Sequence, residues 1–81
     1  MRFIDGEGKA YEAETYEGLL VELTEKWKPW AEIRGYDLTV QDYMEATNER
    51  IYNLDGLNID TKTPALFIKG LIKHGLIKEI N

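Results

Sequence analysis

Apolar residues recur along this chain with two periods. Tyr16, Leu19, Leu20, Leu23 and Trp27 stand at offsets 0, 3, 4, 7 and 11, which places them on one face of an α-helix. Thr15 is positioned to cap that helix and Pro29 predicts its end. Gly18 weakens its first turn by about 1 kcal/mol relative to alanine. Val40, Tyr43, Met44, Thr47, Ile51 and Leu54 repeat the pattern at offsets 0, 3, 4, 7, 11 and 14. Thr39 and Asp42 have capping-box spacing before this second helix, and Asp55-Gly56 supplies its stop. Thr63-Pro64 opens a third helix, with proline at the first helical position, where a missing N–H costs nothing. Phe67, Ile68, Leu71 and Ile72 form its apolar side, Lys73 and His74 put positive charge in its last turn, and Gly75 fits its C-terminal stop.

Elsewhere the period is two. Arg2-Phe3-Ile4 is β-prone, and Lys9 to Glu14 alternates with Tyr11 and Ala13 on one face. Asp5-Gly6-Glu7-Gly8 lies between them as turn chemistry, so residues 2–14 read as a β-hairpin. Leu57-Asn58-Ile59 alternates as a short strand would, and Leu76 to Ile80 reads as a closing strand. The expected order is β-β-α-α-β-α-β, an α+β domain over residues 1–81 with helices on one face of an antiparallel or mixed sheet. Lys28 to Leu38 is expected to be a connection whose aromatics, Trp30 and Tyr36, lie back over the core or form a contact patch.

Charge divides the chain unevenly. Residues 1–60 hold fourteen acids against six bases, a balance of −8, whereas residues 61–81 hold one acid and four lysines, a balance of +3. Such asymmetry bears on partners and not on fold. Eighty-one residues bury only about 60–65% of the surface of the unfolded chain, too little for a deep enzyme cleft. There is no cysteine, so there is no disulfide framework and no thiolate metal site. No apolar run has the length of a signal peptide or of a membrane span. The expectation is a cytoplasmic protein that needs no cofactor.

No catalytic motif accompanies this pattern, and the chain does not read as an enzyme. His74 is the single histidine and reads as a cation at a helix C-terminus. Asp5 and Glu7 offer two carboxylates but lack the spacing of a calcium loop. The helical acids are more informative. Asp42, Glu45 and Glu49 project opposite the second stripe, with steps of about 4.5 and 6 Å along the axis, similar in order to phosphate spacing along a nucleic-acid strand. Glu22 and Glu25 project away from the first stripe. Such rows imitate a phosphate backbone, and they are also what an ordinary solvated helix face looks like. Two further readings stay open. Leu66 to Lys78, a Leu-rich basic helix followed by Gly75-Leu76-Ile77, resembles the recognition helix and strand of winged-helix proteins, which implies a DNA binder using Lys62, Lys69, Lys73 and Lys78. The other is a small structural or assembly subunit that uses exposed Val21 or Leu66 in a self-association patch.

Phe3-Ile4-Asp5 with Gly8, Tyr11-Glu12-Ala13, Tyr16-Glu17, Leu19 to Leu23, Tyr43-Met44, Thr63-Pro64, Phe67-Ile68 and Gly75-Leu76-Ile77 together resemble small accessory proteins of phages and mobile elements. Some small acidic members of that group are anti-CRISPR or other counter-defence inhibitors. The resemblance implies a partner in the host cytoplasm, a CRISPR effector or another nuclease, held at its basic nucleic-acid-binding surface. Glu22, Glu25, Asp42, Glu45 and Glu49 would be the contacting residues, with Trp30 and Tyr36 as apolar anchors. Net charge of −5 predicts no appreciable duplex DNA binding by the isolated protein at physiological salt. A mobility-shift titration checks this, and micromolar, salt-sensitive binding would instead support the winged-helix reading.

Overall fold

The computed structural model describes residues 1–80; Asn81, included in the expected domain, lies outside the described residues. The elements are β1 (Arg2–Asp5), β2 (Ala10–Glu12), α1 (Tyr16–Ile33), α2 (Val40–Asp55), α3 (Pro64–Lys73) and β3 (Ile77–Ile80). The three strands form one antiparallel sheet in the order β2-β1-β3, and the fold is α+β. Phe3, fully buried at the centre of the middle strand, stands opposite Tyr11 on one side and Glu79 on the other. Leu19, Leu20 and Leu23 of α1 and Phe67, Ile68 and Leu71 of α3 pack with it in one apolar cluster that also takes Met44 and Ile51 from α2 and Ile77 from β3.

The hairpin turn is organised by Asp5. Its Oδ1 accepts the backbone N–H of Glu7 and of Lys9, both at 2.9 Å, an Asx-type turn. Gly8 alone of the turn's two glycines takes a positive φ, +85°, where a Cβ would be strained. Asp5 Oδ2 accepts the Tyr11 hydroxyl at 3.1 Å, and Lys26 reaches from α1 to within 3.8 Å of Asp5 and 3.7 Å of Glu7. The turn carboxylates are thus engaged by a lysine, which ties the hairpin to the first helix.

Three local expectations give way to tertiary structure. Pro29 does not end α1, which runs on to Ile33. A proline inside a helix forfeits one N–H bond, here to the carbonyl of Glu25. The next turn is held by burial of Ala31, which is fully inaccessible. The helix instead stops where the N–H groups of Arg34 and Gly35 fold back to the carbonyls of Ala31 and Glu32, with Gly35 at φ +81°. Leu54 is not part of the buried stripe of α2. Ile51 is the last buried position, and the turn beyond it extends past the core, leaving Leu54 77% exposed.

The third correction concerns Leu57-Asn58-Ile59, which forms no strand, so the element order is β-β-α-α-α-β. That segment is bound by side chains of α2. Asn48 Oδ1 accepts the Ile59 N–H at 2.7 Å while its Nδ2 donates to Asn58 Oδ1 at 2.9 Å, and Gln41 donates to the Thr61 carbonyl at 3.4 Å. The Asn48 amide thus takes the Ile59 N–H, which a neighbouring strand would otherwise have taken. The caps follow the sequence pattern. Thr15, Thr39 and Thr63 each accept an N–H from the first turn of their helix, Asp42 completes the capping box with Thr39, and Gly56 ends α2 in the left-handed region at φ +71°.

Gly70 on α3 is required by contact. A Cβ there would lie 2.7 Å from Ile59 Cγ2, and Ile59 is buried and β-branched, so it cannot rotate away freely. Gly70→Ala gains about 1 kcal/mol of helix propensity but meets an overpacking cost of about 1–3 kcal/mol. We expect net destabilisation in urea unfolding that reverses to stabilisation when the same change is made in an Ile59→Ala background. The same sign in both backgrounds would show that the close approach is not what fixes the glycine.

Asp5 gives a pH-dependent test. Burial works against its ionisation, but the N–H groups of Lys9 and Glu7, the Tyr11 hydroxyl and the Lys26 charge together hold the carboxyl below its ordinary value. A carboxyl depressed in the folded state stabilises fully above its unfolded pKa of about 3.9 and ceases to do so as pH falls through the folded value. The stability difference between wild type and Asp5→Asn should therefore be constant at neutral pH and shrink below about pH 4. A difference that persists undiminished into stronger acid would remove the ionised Asp5 from the account.

Candidate interaction site on the first and second helices

Helix periodicity sets out the exposed side of α2. With its buried side at Met44 and Ile51, Asp42, Glu45 and Glu49 fall opposite, within a sector of about 60° and a length of about 10 Å. All three are exposed. Glu45 and Glu49 form no ion pair among the described residues, whereas Asp42 accepts the Thr39 N–H at 3.3 Å and so serves the helix terminus as well. On α1, Glu22 is exposed, and Glu25 is paired with Lys28 at 3.3 Å. The acidic ridge of α2 is therefore the more available of the two. Val21 and Leu66 are each a little under half exposed.

Trp30 and Tyr36 come together. Their rings meet edge to face at 6.0 Å, an arrangement suited to the aromatic quadrupole, and each stays a little over 40% exposed. The meeting depends on the continuation of α1 beyond Pro29, which carries Trp30 on a helical turn. Tyr36 is drawn back because its N–H donates to the Ala31 carbonyl at 3.2 Å. Together they form one wall of a cavity of about 240 Å³ between α1 and α2, completed by Trp27, Leu38, Tyr43, Ala46, Thr47 and Arg50. A second cavity of about 240 Å³ leads toward the hairpin turn, and Trp27, Tyr43, Thr47 and Arg50 line both.

Cations sit on the rings of this groove. The Arg34 guanidinium lies 4.0 Å from the Trp30 ring centroid, and its Nη1 donates to the Trp30 carbonyl at 3.4 Å. Arg50 and Lys26 lie 6.0 and 5.8 Å from the Trp27 ring. Burial pushes the Tyr43 phenol above its ordinary value, and hydrogen bonding with Thr47 and the charge of Arg50 offset only part of that rise. The phenol is accordingly neutral at physiological pH.

The sequence places Trp27 and Tyr43 in core stripes and does not single out Arg34 or Arg50. The available signal was the side of α2 shared by Tyr43, Thr47 and Arg50, at offsets 0, 4 and 7, which lies between the buried stripe and the acidic ridge. Ala46 joins the two features: it lines the groove and has Asp42 and Glu49 four and three positions away on the same helix. The arrangement supplies aromatic faces, guanidinium groups and a carboxylate row, the chemistry of recognition. No protein-family model, no curated protein and no solved structure matches this chain.

Proposed function

We propose that the protein is a non-enzymatic binding protein that engages a basic, nucleic-acid-binding surface on a protein partner, in the manner of a phage or mobile-element counter-defence inhibitor. One observation carries the reading: Glu45 and Glu49 stand with Asp42 on the outward side of α2, exposed, and among the described residues neither glutamate enters an ion pair or a cap. Uncompensated like charges along one helix cost a few tenths of a kcal/mol per pair. A row of them is complementary to the lysines and arginines that line a nucleic-acid groove, and its field would steer association. Glu22 and Glu25 extend the acidic character onto α1, and the exposed edges of Trp30 and Tyr36 provide apolar area beside Ala46, next to the ridge. The partner of best fit is a host nuclease complex, a CRISPR effector included.

The test is affinity capture of a nuclease complex from host lysate with mass spectrometry, followed by competition between the protein and nucleic acid for the captured complex. The Asp42→Ala/Glu45→Ala/Glu49→Ala variant should bind about tenfold more weakly, from exposed pairs worth about 0.2–1 kcal/mol each, with the loss concentrated in the on-rate and diminished at high salt. Glu49→Arg should be worse than Glu49→Ala, since it adds repulsion. Circular dichroism must accompany the triple variant because Asp42 also caps α2. If it remains folded and competes as well as wild type, the ridge is only a solvated face.

A further inference from the structure

The groove beside the ridge has the opposite electrostatic demand. Among the described residues the ion pairs are made by Lys26 and Lys28. Arg34 and Arg50 have no carboxylate partner there, in a chain with fifteen acids. Both guanidiniums are instead directed at tryptophan rings, Arg34 at 4.0 Å and Arg50 at 6.0 Å. Among the described residues, Arg50 is the charged residue lining the cavity between α1 and α2, and Asp5 and Glu7 of the adjoining cavity are engaged by Lys26. An unpaired guanidinium at the mouth of an apolar cavity favours carboxylate, which it can meet with two parallel N–H bonds. A cationic side chain entering the same space would meet Arg50 and the aromatic faces that Arg34 and Arg50 already approach.

We infer that this groove receives an acidic peptide segment of a partner protein: a phenylalanine-sized apolar side chain enters between Trp27, Trp30, Tyr36 and Tyr43, and flanking carboxylates pair with Arg50 and Arg34. The volume, about 240 Å³, suits one large side chain and falls below the range of about 300–1,000 Å³ usual for small-molecule sites. Exposed edges of Trp30 and Tyr36 fit a contact completed by another protein, since tryptophan, tyrosine and arginine are the residues that concentrate binding energy at such interfaces. Trp30 and Tyr36 serve as apolar contact in both readings, but charge separates their tests, because the ridge selects cations and the groove selects carboxylates.

The experiment titrates the isotopically labelled full chain with the blocked peptide Asp-Glu-Phe-Glu-Asp and follows the two tryptophan indole N–H signals and the Arg34 and Arg50 side-chain signals by NMR. Saturable shifts of these signals, weakening with added salt and absent with Asp-Glu-Ala-Glu-Asp and Lys-Lys-Phe-Lys-Lys, are expected. Arg50→Gln, a change at an exposed position, should weaken binding about three- to fivefold. Ala46→Trp, also at an exposed helical position, should fill the groove and abolish binding while thermal unfolding still shows a folded protein. Replacing Asp42, Glu45 and Glu49 with alanine should leave the affinity unchanged or raise it, the opposite of its effect on a basic partner. The inference is overturned by no shift at millimolar peptide, by preference for the lysine peptide, or by groove shifts that follow protein concentration alone, which would indicate a second copy of the chain.

Discussion

Pairing of β1 with β3 is the constraint on which the rest of the molecule depends. A two-stranded hairpin in water is marginal, and β2 contributes only three residues to it. With β3 added, β1 becomes a central strand and Phe3 acquires neighbours in register on both sides. The contact closes a loop of nearly the whole chain, and the entropic cost of closure grows only slowly with loop length. What offsets that cost is the apolar cluster around Phe3, to which α1 and α3 bring six buried side chains. Helix α2 joins through Met44 and Ile51, so its other sides are left for other uses.

Which parts of this were legible in the sequence follows from the range of the forces involved. Thr39, Asp42 and Gly56 act on backbone groups within a few residues, so the ends of α2 were readable, as were the three threonine caps. Pro29 was misleading because what holds the turn beyond it is not announced by any local pattern: the burial of Ala31, the Trp30–Tyr36 ring contact and the closing bonds of Arg34 and Gly35. Leu57-Asn58-Ile59 has the alternation of a strand, yet the Ile59 N–H is taken by the side chain of Asn48, eleven residues away, which also holds the Asn58 side chain. Leu54 continues a helical period beyond the point where the core ends. Periodicity describes which residues share a face; it does not say how far the neighbouring element extends.

The same distinction applies to the surface. The ridge of Asp42, Glu45 and Glu49 lies within a single helix, so helix geometry alone specifies it. The groove requires Trp27 and Trp30 from α1, Tyr36 from the connection, and Tyr43 and Arg50 from α2, and it exists only because α1 continues past its proline. Had α1 stopped at Pro29, Trp30 would stand on a connection with no helical turn to hold it against Tyr36, and the Arg34 side chain would lack the carbonyl at Trp30 that fixes it over the ring.

Two adjacent surfaces of opposite preference on one small helix pair impose a constraint of their own. Coulombic interaction between exposed groups is screened over about 8–10 Å at physiological ionic strength, which is comparable to the length of the ridge. Arg50 is next in sequence to Glu49, yet helix geometry turns successive side chains about 100° apart, so a ligand on the ridge and one in the groove meet different fields. Arg50 approaches the Trp27 ring on the groove side, a modest attraction at an exposed site. That separation permits an overall acidic protein to present a basic, aromatic-lined notch. The partly buried Trp27 ring lines both cavities and takes Arg50 and Lys26 beside it, so the placing of this one ring on α1 sets where positive charge is presented next to the acidic ridge.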